Sequence, residues 1–143
     1  MSAAGPDPAP VREYFDAFGR GDFDGVRAVF ADDCVITVPG AGLLAGRYDG
    51  QAGLDRFLET VLTNVDGRRS GFRVDDLMVG RQFVVVRELA ELVRSGTDGE
   101  PVELPLLLRF TVGADGRIAR LDITPEDAGR YDSFWGARPA TQR

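Results

Sequence analysis

Histidine and lysine are both missing from this 143-residue chain, which narrows the chemistry its side chains can perform. All seventeen basic residues are arginine. Without an imidazole or a primary amine there is no His general base, no Ser-His or Cys-His nucleophile pair, no His-ligated metal and no Schiff base. Cys34 is the single cysteine, so an intramolecular disulfide and a Cys-built zinc site are also excluded. No basic residue adjoins it in sequence, and it reads as a small buried hydrophobe rather than a nucleophile. Any catalysis must use Asp, Glu, Tyr, Arg, Cys, hydroxyls or the shape of a cavity. No metal and no cofactor is expected.

The net charge is −6, with acids spread along the whole length. Phosphate backbones would be repelled, so nucleic acid is not expected as a partner. Asp32-Asp33 and Asp75-Asp76 read as solvated turn or edge residues, since they lack the ligand spacing of a calcium loop. No apolar run approaches bilayer length and no secretory segment is evident, which points to a cytoplasmic protein without a membrane partner. Residues 1–9 (MSAAGPDPA) read as a flexible lead-in, 10–136 as one domain and 137–143 (ARPATQR) as a tail.

The elements that must position any site are clearest in residues 11–38. Val11, Tyr14, Phe15 and Phe18 recur at helical spacing until Gly19 and Gly21 stop the helix. Asp22 is placed to cap a second helix with the stripe Phe23, Val26, Val29 and Phe30, which Asp32-Asp33 should break before a strand from Cys34 to Val38. A Gly-rich loop over 39–48 holds Leu43 and Leu44, and can line or lid a pocket. A third helix spans 50–62, with Asp49 as its cap. Strands follow over 72–79, 82–95, 102–112 and 117–124, joined by hairpin-length links. Thr124-Pro125-Glu126-Asp127 has the form of a helix start, ahead of Ala128, Tyr131, Phe134 and Trp135. Three N-terminal helices, a curved and mostly antiparallel sheet and a short C-terminal helix make an α+β layer arrangement.

That order, and the segments YFDAFGRGDFDGVRAVFADD, CVITVPG, GLDRFLETV and RFTVGADGRIARLDI, resemble the NTF2-like superfamily of cone-shaped proteins over about residues 9–135. The superfamily includes ketosteroid isomerases, limonene epoxide hydrolases and SnoaL-type polyketide cyclases. The resemblance implies a cavity between the helices and the concave face of the sheet. It also implies a register that points Cys34, Ile36 and Val38 inward, with Val84, Val86, Glu88, Ala90 and Leu92. Leu104, Leu106 and Leu108 join them, as do Ala119, Leu121 and Ile123. Arg87, Glu91, Glu103, Arg109, Arg120 and Asp122 then share the outer face, through which the resemblance implies a homodimer.

Departures from the catalytic families matter as much. The base of the ketosteroid isomerases falls at Val38, and their oxyanion-hole acid at Leu108; only the helix-one tyrosine is kept, as Tyr14. The Asp-Arg-Asp set of the epoxide hydrolases falls at Glu88, Ala90 and Ile123. Glu88 is the one inward acid, and burial among apolar groups should raise its pKa toward that of a general acid or poised base. Its competing reading is an outward residue paired with an arginine. For Tyr14 the alternatives are a ligand contact or a packed core phenol.

Glu88 and Tyr14 are therefore the candidate catalytic residues. Phe18, Val38, Leu43, Phe57, Val86, Leu106, Leu108, Leu121, Ile123 and Trp135 are the candidate substrate-binding residues. The expected ligand is a small apolar molecule of polyketide, terpenoid or steroid type. The leading expectation is a cyclase or isomerase of secondary metabolism that folds its substrate into a reactive conformer with polar help from Glu88 and Tyr14. The alternatives are a non-catalytic binding or dimerisation module and, third, an epoxide hydrolase. The sequence does not decide whether the loop at 96–100 or the C-terminal helix gates the entrance.

Overall fold

Apolar residues at helical spacing bury one side of α1 (Ala9–Gly19): Val11, Tyr14, Phe15 and Ala17 are withdrawn from water, and Phe18 partly so. The computed structural model describes residues 5–136, so the expected tail and the first four residues of the expected lead-in lie outside the described residues. Pro10 sits in the first turn of α1, where its missing N–H leaves no bond unmade. Asp22 caps α2 (Phe23–Ala28) as its type and place predict, accepting the Gly25 N–H at 2.9 Å.

The first departure from expectation comes next. α2 stops at Ala28, and Phe30 already opens β1 (Phe30–Val38) rather than closing a helix. Asp32 and Asp33 do not break a helix; they lie inside β1. The pairing of β1 with its neighbour shifts between Phe30 and Val35, and this irregularity leaves the two acids in water while Phe30 and Cys34 stay buried.

β2 (Gly46–Asp49) falls in the stretch expected to be loop. Its four residues pair antiparallel with Val35–Val38, and only Tyr48 is buried, too weak an alternation to read as a strand. Asp49 stands at the N-cap of α3 (Gly50–Asn64) without capping it, because Arg47 Nε donates to its carboxylate at 2.9 Å instead. α3 presses onto β2 at Gly53, where a Cβ would come within 2.7 Å of the Tyr48 carbonyl carbon.

β3 (Gly71–Val79), β4 (Val84–Leu92), β5 (Val102–Val112) and β6 (Ile118–Pro125) form an antiparallel meander. β6 then pairs parallel with β1, giving a six-stranded sheet in the order β2-β1-β6-β5-β4-β3. β4 is shorter than its apolar run, because Arg94 leaves the ladder to bridge Val65 at the end of α3. Thr124 and Pro125 finish β6 rather than starting a helix; Pro125 lies opposite Leu106. α4 (Ala128–Trp135) is capped by Asp127, which accepts the Arg130 N–H at 3.0 Å.

The inward register holds on β1, β4 and β5, where Cys34, Ile36, Val84, Val86, Leu104 and Leu108 are buried. On β6 it fails at one place. A shift between Thr111 and Val112 turns Ile118 inward and leaves Ala119 only partly covered, while Leu121 and Ile123 are buried as expected. Among the described residues no helix is long and apolar enough to cross a membrane. Three helices at the start of the chain, a curved sheet and α4 thus make the expected α+β cone.

Candidate functional site

The cone is not filled. Its concave side encloses a cavity of about 560 Å³ between α1, α3, α4 and the strands β3 to β6. Aromatic rings form much of the wall: Tyr14, Phe15 and Phe18 from α1, Phe57 from α3, Phe72 from β3, and Tyr131 and Trp135 from α4. Leu44, Ala90, Leu92, Leu106, Leu108 and Ile123 add aliphatic surface to it, and Ser70 a hydroxyl. Exposed residues mark the mouth, namely the Gly19-Arg20-Gly21 turn, Leu62, Gly67 and Gly71. The loop at 96–100 is not part of the wall, whereas α4 contributes Tyr131 and Trp135 to it.

Glu88 is the acid on this wall, set there by strand alternation on β4. The residues opposite it are Val74 on β3 and Leu106 on β5, neither of which can neutralise or hydrogen-bond a carboxylate. It completes no hydrogen bond or ion pair among the described residues. Glu88 keeps some of its surface open to the cavity, but bulk water is held away, and burial pushes its pKa up to about 7. The outward-facing reading is thereby set aside.

Two phenols lie near enough to feel its charge. Tyr14 is fixed by edge-to-face packing against Phe30 and Phe110, with ring centroids 5.8 and 5.4 Å away. Burial first, and then the Glu88 charge, raise its pKa well above the ordinary phenol range. Its hydroxyl has no hydrogen-bond partner among the described residues. Tyr131 is raised likewise, chiefly by burial, with the Trp135 indole working slightly the other way. Trp135 Nε1 is buried and completes no hydrogen bond, although it lies close enough to the Tyr131 oxygen to favour its ionised form. An acid that shares its proton near neutrality, two neutral hydroxyls and an indole N–H therefore face one apolar space. That set can move a proton and hold an oxygen.

Of the residues expected to contact substrate, Phe18, Phe57, Leu106, Leu108, Ile123 and Trp135 stand on the wall. Val38, Val86 and Leu121 do not; they are packed into the core behind it. Leu43 is also off the wall, because its backbone N–H is tied to the Gly136 carbonyl at 2.8 Å and its neighbour Leu44 turns in instead. Tyr131 was missed as a site residue and counted only in the apolar stripe of the last helix. Its spacing of four from Trp135, two amphipathic aromatics on one face, is the signal that could have found it. Cys34 is fully buried, its Sγ donates to the Gly50 carbonyl at 3.7 Å, and burial raises its thiol pKa, the reverse of an activated nucleophile. The described residues contain no group of three acids or thiols that could hold a metal. The wall carries one acid, so the two-acid set that an epoxide hydrolase needs is not assembled there.

A cone of helices over the concave face of a curved sheet is the NTF2-like fold. A protein of unknown function from Burkholderia pseudomallei shares it with a TM-score of 0.79 and 22% identity, over 96% of this chain and 100% of that one. The chain belongs to the SnoaL-like domain family, whose pattern matches residues 11–121. An uncharacterized protein of Mycobacterium tuberculosis is 31% identical over 127 residues, 87% of this chain and 92% of that protein. A structure from Sinorhizobium meliloti, described as a candidate polyketide cyclase, is 28% identical with a TM-score of 0.61, over 82% of this chain and 95% of that one.

Proposed function

We propose that this protein is a cofactor-independent cyclase or isomerase acting on an apolar, carbonyl-bearing molecule of polyketide-like type. The observation that carries this reading is Glu88, an acid with no partner among the described residues and a pKa pushed up to about 7 by burial, on the wall of an aromatic cavity. In its ionised form Glu88 takes a proton from carbon next to the substrate carbonyl. Tyr14 or Tyr131 donates a hydrogen bond to the carbonyl oxygen, where the negative charge gathers. The same carboxyl then returns the proton at a second carbon, which is an isomerisation, or the enolate carbon attacks a second carbonyl within the folded chain, whose oxygen takes the proton back from Glu88 as the ring closes. The apolar walls hold a flexible substrate in one conformer, and that ordering supplies part of the rate. The likeness to a candidate polyketide cyclase supports the substrate class.

The test is a titration of Trp135 fluorescence with polyketide-like and steroid-like carbonyl compounds, with product analysis of each mixture. Saturable quenching with conversion is the expected result. Glu88→Gln should retain the quenching and lose turnover by roughly 10²- to 10⁴-fold, the range typical of a positioned acid or base. Binding without conversion of any compound would favour a non-catalytic binding module, which the aliphatic side chain of Leu108 on the wall also suits.

A further inference from the structure

The missing partner of Glu88 has a further meaning. Elsewhere in the chain arginines meet the acids: Arg27 reaches Asp55, Arg87 reaches Asp75 and Glu126, and Arg109 and Arg120 reach Asp122. None reaches Glu88. The guanidinium on the cavity wall belongs to Arg20 at the mouth, and it is already drawn outward to Glu13 and Asp22 at 3.6 and 3.5 Å. Among the described residues the cavity holds one acid, no interior cation and walls rich in aromatic rings, a setting in which the carboxylate attracts a cation and any ring face turned toward that cation adds to the attraction.

We propose that this cavity takes the cationic head of a protonated or quaternary amine, with Glu88 as its counter-ion and the rings of Tyr14, Tyr131 and Trp135 around it. An anionic ligand would meet an acid inside and, among the described residues, no guanidinium beyond Arg20 at the mouth. A neutral hydrocarbon would leave the carboxylate without a counter-charge. The inference goes beyond the proposed reaction because it requires binding and makes no demand on turnover.

A bound cation stabilises the Glu88 carboxylate, so affinity should rise as pH increases through about 7, where Glu88 ionises. The groups facing it from the packed elements do not compete. Tyr14 from α1 and Tyr131 from α4 stay neutral through this range, Val74 and Leu106 on the flanking strands carry no charge, and Arg20 stands at the rim.

The experiment compares an arylalkyl trimethylammonium ion with the isosteric hydrocarbon in which carbon replaces nitrogen, each titrated against Trp135 fluorescence. The preference for ammonium over hydrocarbon should fall by about tenfold or more in Glu88→Gln, the scale expected for losing a desolvated counter-ion beside aromatic faces. On the unmodified protein, ammonium affinity should climb between pH 6 and 8 while hydrocarbon affinity stays level, which tests the idea without any variant. An unchanged preference in Glu88→Gln, or ammonium affinity that is flat with pH, overturns the inference. Conversion of carbonyl compounds with no charge preference would sink this inference and leave the proposed reaction standing. Charge-selective binding with no conversion of any carbonyl compound would do the reverse.

Discussion

Two carboxylates on one sheet meet opposite surroundings. Asp122 on β6 faces outward, accepts Thr37 Oγ1 at 2.6 Å, and is held by Arg109 Nη2 at 3.0 Å and Arg120 Nε at 2.9 Å. These donors outweigh its partial burial and bring its pKa down to about 2. Glu88 on β4 faces inward, has no such donor, and rises to about 7 through burial alone. Strand alternation places both, one on each face of the sheet. The outer acid is stabilised by its site, whereas the inner one must be desolvated without compensation whenever it is charged. An arrangement that works against folding at neutral pH is more readily explained by what the cavity binds or converts than by the fold.

The largest consequence is a pH dependence of stability that the two acids contribute with opposite signs. For Glu88 the folded pKa lies above the ordinary value of 4.5, so the native state holds the proton more tightly than the unfolded chain. Its contribution is most favourable below about 4.5 and declines as pH rises to about 7, by up to ~3 kcal/mol if the whole shift is expressed in stability. Denaturant unfolding from pH 4 to 8 should therefore show a decline that is absent in Glu88→Gln, and the variant should be the more stable protein at pH 8. A variant that is less stable at pH 8 would break the contrast, because it would mean that Glu88 has a stabilising partner in solution.

Asp122 runs the other way. Its folded pKa is depressed, so its contribution is present above the ordinary value of 3.8 and is lost as pH falls toward 2. Asp122→Asn should cost about 1–2 kcal/mol at pH 7, discounted because Arg109 and Arg120 are themselves half-exposed, and should remove that acid-side loss. Trp135 emission should not move, since the outer face does not touch the cavity. A loss of cavity binding in this variant would mean that the two faces are coupled, and the comparison would have to be abandoned.

Periodicity made much of this legible. The stripe of α1, the cap at Asp22 and the alternation on β4 and β5 each follow from local physics, and Glu88 came with them as the odd acid in an apolar row. What escaped depended on contacts between distant segments. β2 is a strand because β1 offers it an edge, and its own four residues carry one buried side chain. The displacement of Val38, Val86 and Leu121 from the wall is of the same kind: all three are buried in the core cluster, but none lines the cavity. An inward register names the residues that are buried. Which of them stay at an open surface is set by how far each helix stands from the sheet, and that is not written in any one strand. Tyr131 was legible as a buried aromatic, yet its closeness to Glu88 depends on where α4 docks.

That docking leads to the smallest predicted effect. α4 has eight residues, too few to persist on its own, so the cavity end it forms must be held by others. Arg94 lies where β4 ends, beside the last turn of α3. Its Nη1 donates to the Phe134 and Trp135 carbonyls at 2.9 and 2.6 Å, and its Nη2 to Asn64 Oδ1 at 3.4 Å. A cation at the helix C-terminus satisfies carbonyls that have no partner within the helix and also favours the helix dipole. Asp132 ties the same helix to the β1–β2 connection, accepting the Ala41 and Gly42 N–H groups at 3.2 and 3.3 Å. Arg94→Gln should lower global stability by only about 1 kcal/mol, since its bonds are few and partly exposed to water. Its effect on α4 should be out of proportion to that figure: faster amide exchange over residues 128–135 and red-shifted Trp135 emission, with the Glu88 pKa retained. Asp122→Asn, at equal or greater cost in stability, should show neither sign. If the two variants loosen α4 alike, Arg94 is an ordinary contributor to the fold. If only Arg94→Gln does, it is a positioning residue through which α3, β4 and α4 hold Tyr131 and Trp135 against the cavity.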